Sequence, residues 1–471
     1  MLYINGKWVE GTKYTTLHSP YQNKILAEIP VATSEQVEEA IKAAKQAEEE
    51  MQSLTSLEKS QILLQICRQL EERKSEGAII IANEAAKPLK FALAEMERTI
   101  ETYRFAAEEV KRLTGELVPM DAAKNGANKL AYTLLTPIGT VAAITPFNFP
   151  QNLVAHKVGP AIAAGNTVIL KPASQTPLSA LFLAEIIHHT DLPKGAFQVL
   201  TGNGSQIGDR LVLHDDINMI TFTGSPTVGK SIKNKAGLKK VALELGSNAG
   251  CIVDNGTDIK AIAQKCVIGA FSNQGQICIS LQRIYVMEDS YHIFLNELKA
   301  FTSSLIIGNP LDIETDISPM INRKETERAK AWIDEAVNMG ATIECGGEIV
   351  NNSLQPTILS NVPHYAQISC QEAFAPVVLI NKISSIEEGI GEINNSVYGL
   401  QAGIFTNNIS NAFIASKKLQ VGGVIINDVP TFRVDQMPYG GVKDSGTGRE
   451  GVKYAMEEMT EMKLIVWNEV F

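Results

Sequence analysis

Cys278 lies in FSNQGQICISLQR, Phe271 to Arg283, behind a flexible, polar Asn-Gln-Gly-Gln run. As a thiolate it would attack an electrophilic carbon; as a buried thiol it would be an inert small hydrophobe. The other cysteines, Cys67, Cys251, Cys266, Cys345 and Cys370, form no C-x-x-C pair with it or with one another, so all six are expected to be reduced. Glu244 ends the apolar run of KKVALELGSN. Apolar surroundings raise a carboxyl pKa, which suits a general base, although pairing with a lysine reads equally well. Asn148 sits among aromatics and prolines in ITPFNFP, where its amide either donates to a developing oxyanion or caps the next helix. Lys171 closes NTVILKP, as a ligand-facing cation or a solvated strand end. TGNGSQIG spaces Gly202, Gly204 and Gly208 one residue longer than the usual dinucleotide fingerprint, and FTGSPTVGK should open a helix at Ser225 whose N–H groups suit a pyrophosphate. Each also reads as an ordinary strand-to-helix turn. Glu372 and Phe374 in CQEAFAPVV read as core and rim residues. The histidines show no metal-ligand spacing, and no metal site is expected.

These residues need a frame of more than one core, because 471 residues exceed one ordinary domain. With 45% hydrophobic and 20% charged residues, the composition is that of a globular protein. No apolar run approaches a bilayer span, and a formal net charge of −10 disfavours nucleic acid and acidic membranes as partners. The opening MLYINGKWVEGTKY lacks a signal-peptide pattern, so a cytoplasmic location is expected. The first third reads as helices. Thr33 to Gln36 forms a capping-box pattern, and a long helical region follows from about Ser56 to Glu116, interrupted near Gly77 and at Lys87-Pro88. Residues 117–136 read as a protruding hairpin with a turn at Asn125-Gly126. From Thr140, β-branched runs alternate with helical candidates, which predicts βαβ units and a doubly wound parallel sheet. A second α/β alternation starts after Gly246 and ends near PYGGVKDSGTGREG.

Taken in order, TPFNFP, KPASQTP, FTGSPTVGK, LELGSN, NQGQIC, EAFAPV and PYGGVKDSG resemble the aldehyde dehydrogenase superfamily over nearly the whole chain. The resemblance implies an α/β fold of that type: a Rossmann-type cofactor domain (1–116 and 137–246), an α/β catalytic domain (247–443), and a small β oligomerisation arm (117–136 and 455–471). It makes Cys278 the nucleophile, Glu244 the general base and Asn148 the oxyanion donor. Thr145, Pro146, Phe147, Lys171, Ser174, Gly204, Gly208, Phe222, Thr223, Gly224, Ser225, Leu245, Glu372 and Phe374 become cofactor-binding residues. A homodimer or homotetramer is implied as well.

Three positions depart from the family pattern. Ser247 replaces a common glycine, a change expected to alter only local packing. Ile277 precedes the nucleophile where some members carry arginine or threonine. Ser174 stands where strict NAD users carry glutamate, which with Lys171 points to NADP as the preferred cofactor and NAD as a second. The stretches ERTIETYRFAAEEVKRL and FRVDQMPYGGVKDSGTGREG are most similar to the branch holding lactaldehyde and non-phosphorylating glyceraldehyde-3-phosphate dehydrogenases. There Arg98 and Arg433 become candidates for the far end of the substrate, with surface ion pairs as the other reading. The implied activity is NAD(P)-dependent oxidation of a small 2-hydroxyaldehyde, lactaldehyde or its sulfonated analogue, to the acid. Glyceraldehyde 3-phosphate and succinic semialdehyde are the alternatives. A CoA-acylating relative and a non-enzymatic homologue rank lower, since Glu244 and Cys278 are both present.

Overall fold

Thr33 opens the first long helix with a reciprocal cap: its hydroxyl accepts from the Gln36 N–H at 3.2 Å, and the Gln36 side chain accepts from the Thr33 N–H at 3.0 Å. Thr55 and Glu58 repeat the device at the next helix. The protein, a computed structural model that describes residues 1–468, then continues through helices Ser34–Ser53, Ser56–Glu72, Lys74–Ala85 and Leu89–Glu109. The expected break near Gly77 falls at Arg73 instead, and Gly77 is helical. The break at Lys87-Pro88 is observed. The helical reading of the first third fails before Thr33, where four strands come first: Leu2–Ile4, Lys7–Val9, Lys13–His18 and Ile25–Val31. The overlooked signal was Asn5-Gly6, whose φ values of 51° and 68° make the tight turn of the first hairpin.

Two sheets organise the rest. In the first, five parallel strands run in the spatial order Phe197–Val199, Thr167–Lys171, Thr140–Ile144, Met219–Thr223 and Lys240–Glu244. The order reverses between Thr140–Ile144 and Met219–Thr223, the switch point where a doubly wound sheet opens a crevice at its carboxyl edge. The fully buried helix Asn152–Ala163 packs against this sheet. In the second sheet, strands Thr357–Ser360, Val377–Ile383, Arg283–Met287, Gly250–Val253, Gln401–Phe405 and Gly423–Ile426 are parallel, and Thr342–Cys345 is antiparallel at one edge. The chain then returns to the first sheet, pairing Gly446–Thr447 with the Glu244 strand.

Residues 117–137 form the expected projection, with strands Leu117–Val118 and Lys129–Pro137 joined through two short 3₁₀ turns. A Cβ at Gly126 would lie 1.7 Å from the Met120 carbonyl oxygen, so only glycine closes that loop. Strand Thr460–Asn468 pairs with Lys129–Pro137 along its whole length. Its Met462, Leu464, Val466 and Trp467 side chains are exposed. In the segment 455–471 assigned to the arm, Met456 and Met459 belong to the first core, and residues 469–471 lie outside the described residues. No helix among the described residues is long and apolar enough to cross a membrane.

Candidate active site

The polar run before Cys278 is held firmly. After helix Ile259–Phe271, residues Asn273, Gln274 and Gly275 take successive φ values of 50°, 56° and 67°. Left-handed backbone at two side-chain-bearing residues persists only where the surroundings enforce it. The Asn273 amide donates to the carbonyls of Asn148 and Gln276, both at 3.3 Å, and Gln274 donates to the Ala86 carbonyl at 3.1 Å. A Cβ at Gly275 would sit 2.0 Å from the Ala375 oxygen. The sequence reading of a flexible segment is therefore corrected: long-range bonds fix the turn that presents Cys278.

Asn148 is fixed from two sides. Its Nδ2 donates to the Gln276 carbonyl at 2.9 Å. Behind it, Glu95 accepts from the backbone N–H groups of Gln151 at 2.8 Å and Asn152 at 3.2 Å, and is itself paired with buried Lys87, whose amine lies over the Phe149 ring.

Cys278 stands where two cavities meet. A cavity of about 310 Å³ is lined by Arg98, Phe149, Leu153, Ile277, Arg433 and Tyr439. The second, of about 570 Å³, is lined by Pro146, Phe147, Asn148, Thr223, Gly224, Ser225, Glu244, Leu245, Glu372, Phe374 and Arg328. It lies at the switch point of the first sheet. Burial pushes the Cys278 thiol up to about 11, against the opposing bond from Tyr439 and the charge of Arg433. Its side chain is half-buried, and water reaching it through the cavities softens that effect. Glu244 is raised well above the carboxylate range, first by burial and then by the nearby charge of Glu450; its Oε2 has no partner among the described residues.

Carboxylates absent from the sequence reading hold both arginines. Arg98 donates to Asp435 through Nη2 at 2.8 Å and Nε at 3.2 Å, and His156 Nε2 meets the same carboxylate at 2.8 Å. Arg433 donates to Glu450 at 2.9 Å, and Lys157 donates to the other Glu450 oxygen at 3.0 Å. Burial opposes ionisation of both carboxylates, but Lys157 and Arg433 hold Glu450, and His156 and then Arg98 hold Asp435, below the usual range. Burial and the Arg433 charge push His156 down, against the opposing bond to Asp435. The smaller cavity itself is lined by two cations, Arg98 and Arg433, and by Asp428, which pairs with Lys265 at 3.3 Å. Tyr439, Glu450, Lys157 and Asp435 are the site residues that sequence reasoning missed.

The larger cavity fits a dinucleotide. Ser225 caps helix Pro226–Lys235, which has proline at its first position and points its free N–H groups to the crevice. The buried Thr145 and Thr223 hydroxyls have no partner among the described residues. Phe147 and Phe374 meet edge to face at 5.8 Å, and Phe374 takes a φ of 45°, an enforced conformation for an aromatic residue. Glu372 accepts from the Ser247 N–H at 3.0 Å, while burial pushes it up to about 7. That contact uses backbone, so serine serves where glycine is commoner.

Along the same sheet edge, burial lowers buried Lys171 to about 8, and its amine lies 4.0 Å from where a Gly204 Cβ would be. The exposed Ser174 hydroxyl donates to the Gly202 carbonyl at 3.0 Å. Gly208 lies above Ile144, and the Phe222 ring is buried beneath Gly224, where a Cβ would meet it at 2.5 Å. Phe222 therefore supports the cradle from below.

Comparison with known proteins places this geometry. The sequence pattern of the aldehyde dehydrogenase family matches residues 8–465. A 3-sulfolactaldehyde dehydrogenase of Priestia aryabhattai is 48% identical over 467 residues, covering 99% of this chain and 98% of that protein. A lactaldehyde dehydrogenase of Methanococcus aeolicus is 40% identical over 471 residues, covering 99% of this chain and 100% of that protein. A crystal structure of a glyceraldehyde-3-phosphate dehydrogenase from Methanocaldococcus jannaschii, complexed with NADP, superposes with a TM-score of 0.93 at 40% identity, covering 97% of this chain and 100% of that one.

Proposed function

The chain belongs to the aldehyde dehydrogenase family and is an NAD(P)-dependent aldehyde oxidoreductase; from that premise we propose that it oxidises a small 2-hydroxyaldehyde, 3-sulfolactaldehyde with its anionic tail first and the uncharged lactaldehyde second, with NADP preferred. One observation carries the reading: Cys278 stands between a cavity faced by Arg98 and Arg433 and a cavity shaped for a dinucleotide. Arg433 lines this cavity and its guanidinium carries more donors than its single bond to Glu450 uses, which suits a sulfonate or carboxylate. Ile277 supplies no further cation at this cavity, which ranks glyceraldehyde 3-phosphate lower. Succinic semialdehyde is the remaining alternative.

The Cys278 sulfur adds to the aldehyde carbon, and the oxyanion takes the second Asn148 N–H, the first being held by Gln276. The Cys278 backbone N–H completes this hole on the family pattern. The dinucleotide, when bound, supplies the hydride acceptor. Glu244 then takes a proton from the water that hydrolyses the resulting thioester. Glu372 and Phe374 hold the nicotinamide end, the start of helix Pro226–Lys235 the pyrophosphate, and Lys171 with Ser174 the adenosine ribose. In this reading residues 1–116 and 137–246 form the cofactor domain, 247–443 the catalytic domain, and the arm joins a cytoplasmic homodimer or homotetramer. The exposed apolar side chains of Thr460–Asn468 support that assembly.

The test is kcat/KM for 3-sulfolactaldehyde, lactaldehyde, succinic semialdehyde, glyceraldehyde 3-phosphate and propanal, with each cofactor and without CoA or phosphate. Propanal oxidised as well as the anionic aldehydes would overturn the substrate reading. Asn148→Ala should lose about 10²–10³ in kcat while remaining folded.

A further inference from the structure

Tyr439 Oη lies 2.9 Å from Cys278 Sγ, and no other hydrogen-bond partner of that hydroxyl is found among the described residues. A buried phenol ordinarily takes a partner, and here the partner is the sulfur of the nucleophile. The ring is rigidly placed. Tyr439 and Glu450 exchange two backbone hydrogen bonds, at 3.0 and 2.7 Å. The Arg433 guanidinium sits 3.7 Å from the ring centroid and is held there by the Glu450 side chain.

We propose that Tyr439 is a catalytic residue, the hydrogen-bond donor that stabilises the Cys278 thiolate and aims it into the substrate cavity. This rests on Cys278 being the nucleophile. In the thiol state either atom can donate. Burial and the neighbouring cysteine hold Tyr439 well above the usual phenol range, so the thiol ionises first and leaves an O–H directed at a negative sulfur. Tyr439 keeps its proton, and the thiol proton leaves to water in the cavity. The sulfur–carbon bond then forms as the carbonyl π pair moves to oxygen, with Tyr439 taking no covalent part. The other charged groups around the sulfur do not supply this bond. Glu244 and Glu372 raise the thiol, and Arg433, the opposing charge, acts across the Tyr439 ring. Arg98 and Asp428 line the smaller cavity and are held by Asp435 and Lys265; Lys157 is held by Glu450.

The experiment is the pH dependence of iodoacetamide alkylation of cofactor-free enzyme, with the Cys278 peptide quantified by mass spectrometry. Tyr439→Phe should raise the midpoint by about one pH unit and slow alkylation about tenfold below it, because a charge-assisted bond is lost. The acid limb of kcat/KM should move by the same amount, with melting temperature and NADP+ affinity unchanged. A fluorinated tyrosine at position 439, a stronger donor, should lower the midpoint. Superposed wild-type and Tyr439→Phe profiles, alongside an inactive Cys278→Ala, would overturn the tyrosine proposal and leave the nucleophile reading intact. Full oxidising activity in Cys278→Ala would overturn both.

Discussion

Arg433 donates through Nη2 to Glu450 Oε2 at 2.9 Å, and both side chains are buried, 6% exposed each. The pair is one edge of a larger arrangement, because Lys157 holds the other Glu450 oxygen at 3.0 Å. Two cations sharing one carboxylate leave Arg433, a lining residue of the smaller cavity, less than fully neutralised. Keeping a charge buried is costly, and the proposed task of this one is recognition of an anionic tail.

Arg433→Lys keeps a charge beside Glu450 and removes the planar, multi-donor guanidinium. It should lower kcat/KM for 3-sulfolactaldehyde about 10- to 100-fold, the range of a charge-assisted hydrogen bond, and leave propanal nearly unchanged. Arg433→Ala should show the same selectivity with an added loss of stability of about 3 kcal/mol, since a buried pair is broken. Equal losses on charged and uncharged aldehydes would make Arg433 structural only.

The proposed site residues were legible where a short contiguous stretch fixes their place. Glu244 ends an apolar strand, Ser225 follows a strand and precedes Pro226, and Cys278 follows a turn that only Gly275 can close. What escaped was assembled across the fold. Tyr439 lies 161 residues from Cys278, and Asp435 lies 279 from His156. Nothing in FRVDQMPYGGVKDSGTGRE shows that Asp435 and Glu450 answer the arginines. The Asn-Gln-Gly run misled for a related reason. Its composition suggests mobility, whereas its conformation is set by Ala86, Asn148 and Ala375, all distant in sequence.

Ser174→Glu should move cofactor preference toward NAD. The exposed Ser174 side chain now donates to the Gly202 carbonyl, and nothing at that position repels a ribose phosphate. A carboxylate there would oppose a 2′-phosphate at close range and accept from ribose hydroxyls instead. The ratio of Kd for NADP+ to Kd for NAD+, by calorimetry, should rise about tenfold or more. A ratio unchanged by the substitution would remove Ser174 from cofactor selection.

Glu244 acts as a base only when ionised, and burial with the Glu450 charge holds its pKa well above the carboxylate range. The ionised fraction therefore falls at a pH where an exposed glutamate would still be fully charged. Thioester hydrolysis should slow as pH drops through that raised value, so the acid limb of kcat should lie well above pH 4.5. Glu244→Gln should remove this limb, leaving a burst of reduced cofactor near one per site and turnover slowed about 10²-fold or more. A wild-type limb at the ordinary carboxylate pKa, or a variant without a burst, would assign hydrolysis to another base.

Gly275→Ala tests whether the enforced turn aims the nucleophile. The φ of 67° disfavours any side chain, and the added Cβ would lie 2.0 Å from the Ala375 carbonyl oxygen. That oxygen is backbone and leads into strand Val377–Ile383, so relief must come from the Asn273–Gln276 turn. Its movement would loosen the Gln276 carbonyl from Asn148 Nδ2 and displace Cys278 from Tyr439 together. Stability should fall by more than about 1 kcal/mol, and kcat should fall about 10²-fold, as expected when reacting groups move by about an ångström. Gly237→Ala is the control, because its φ of 62° is equally left-handed but nothing lies within 4 Å of the added carbon. It should cost stability through backbone strain alone and leave kcat at the wild-type value. Equal kcat in the two variants would show that the turn at Gly275 does not set the position of the sulfur.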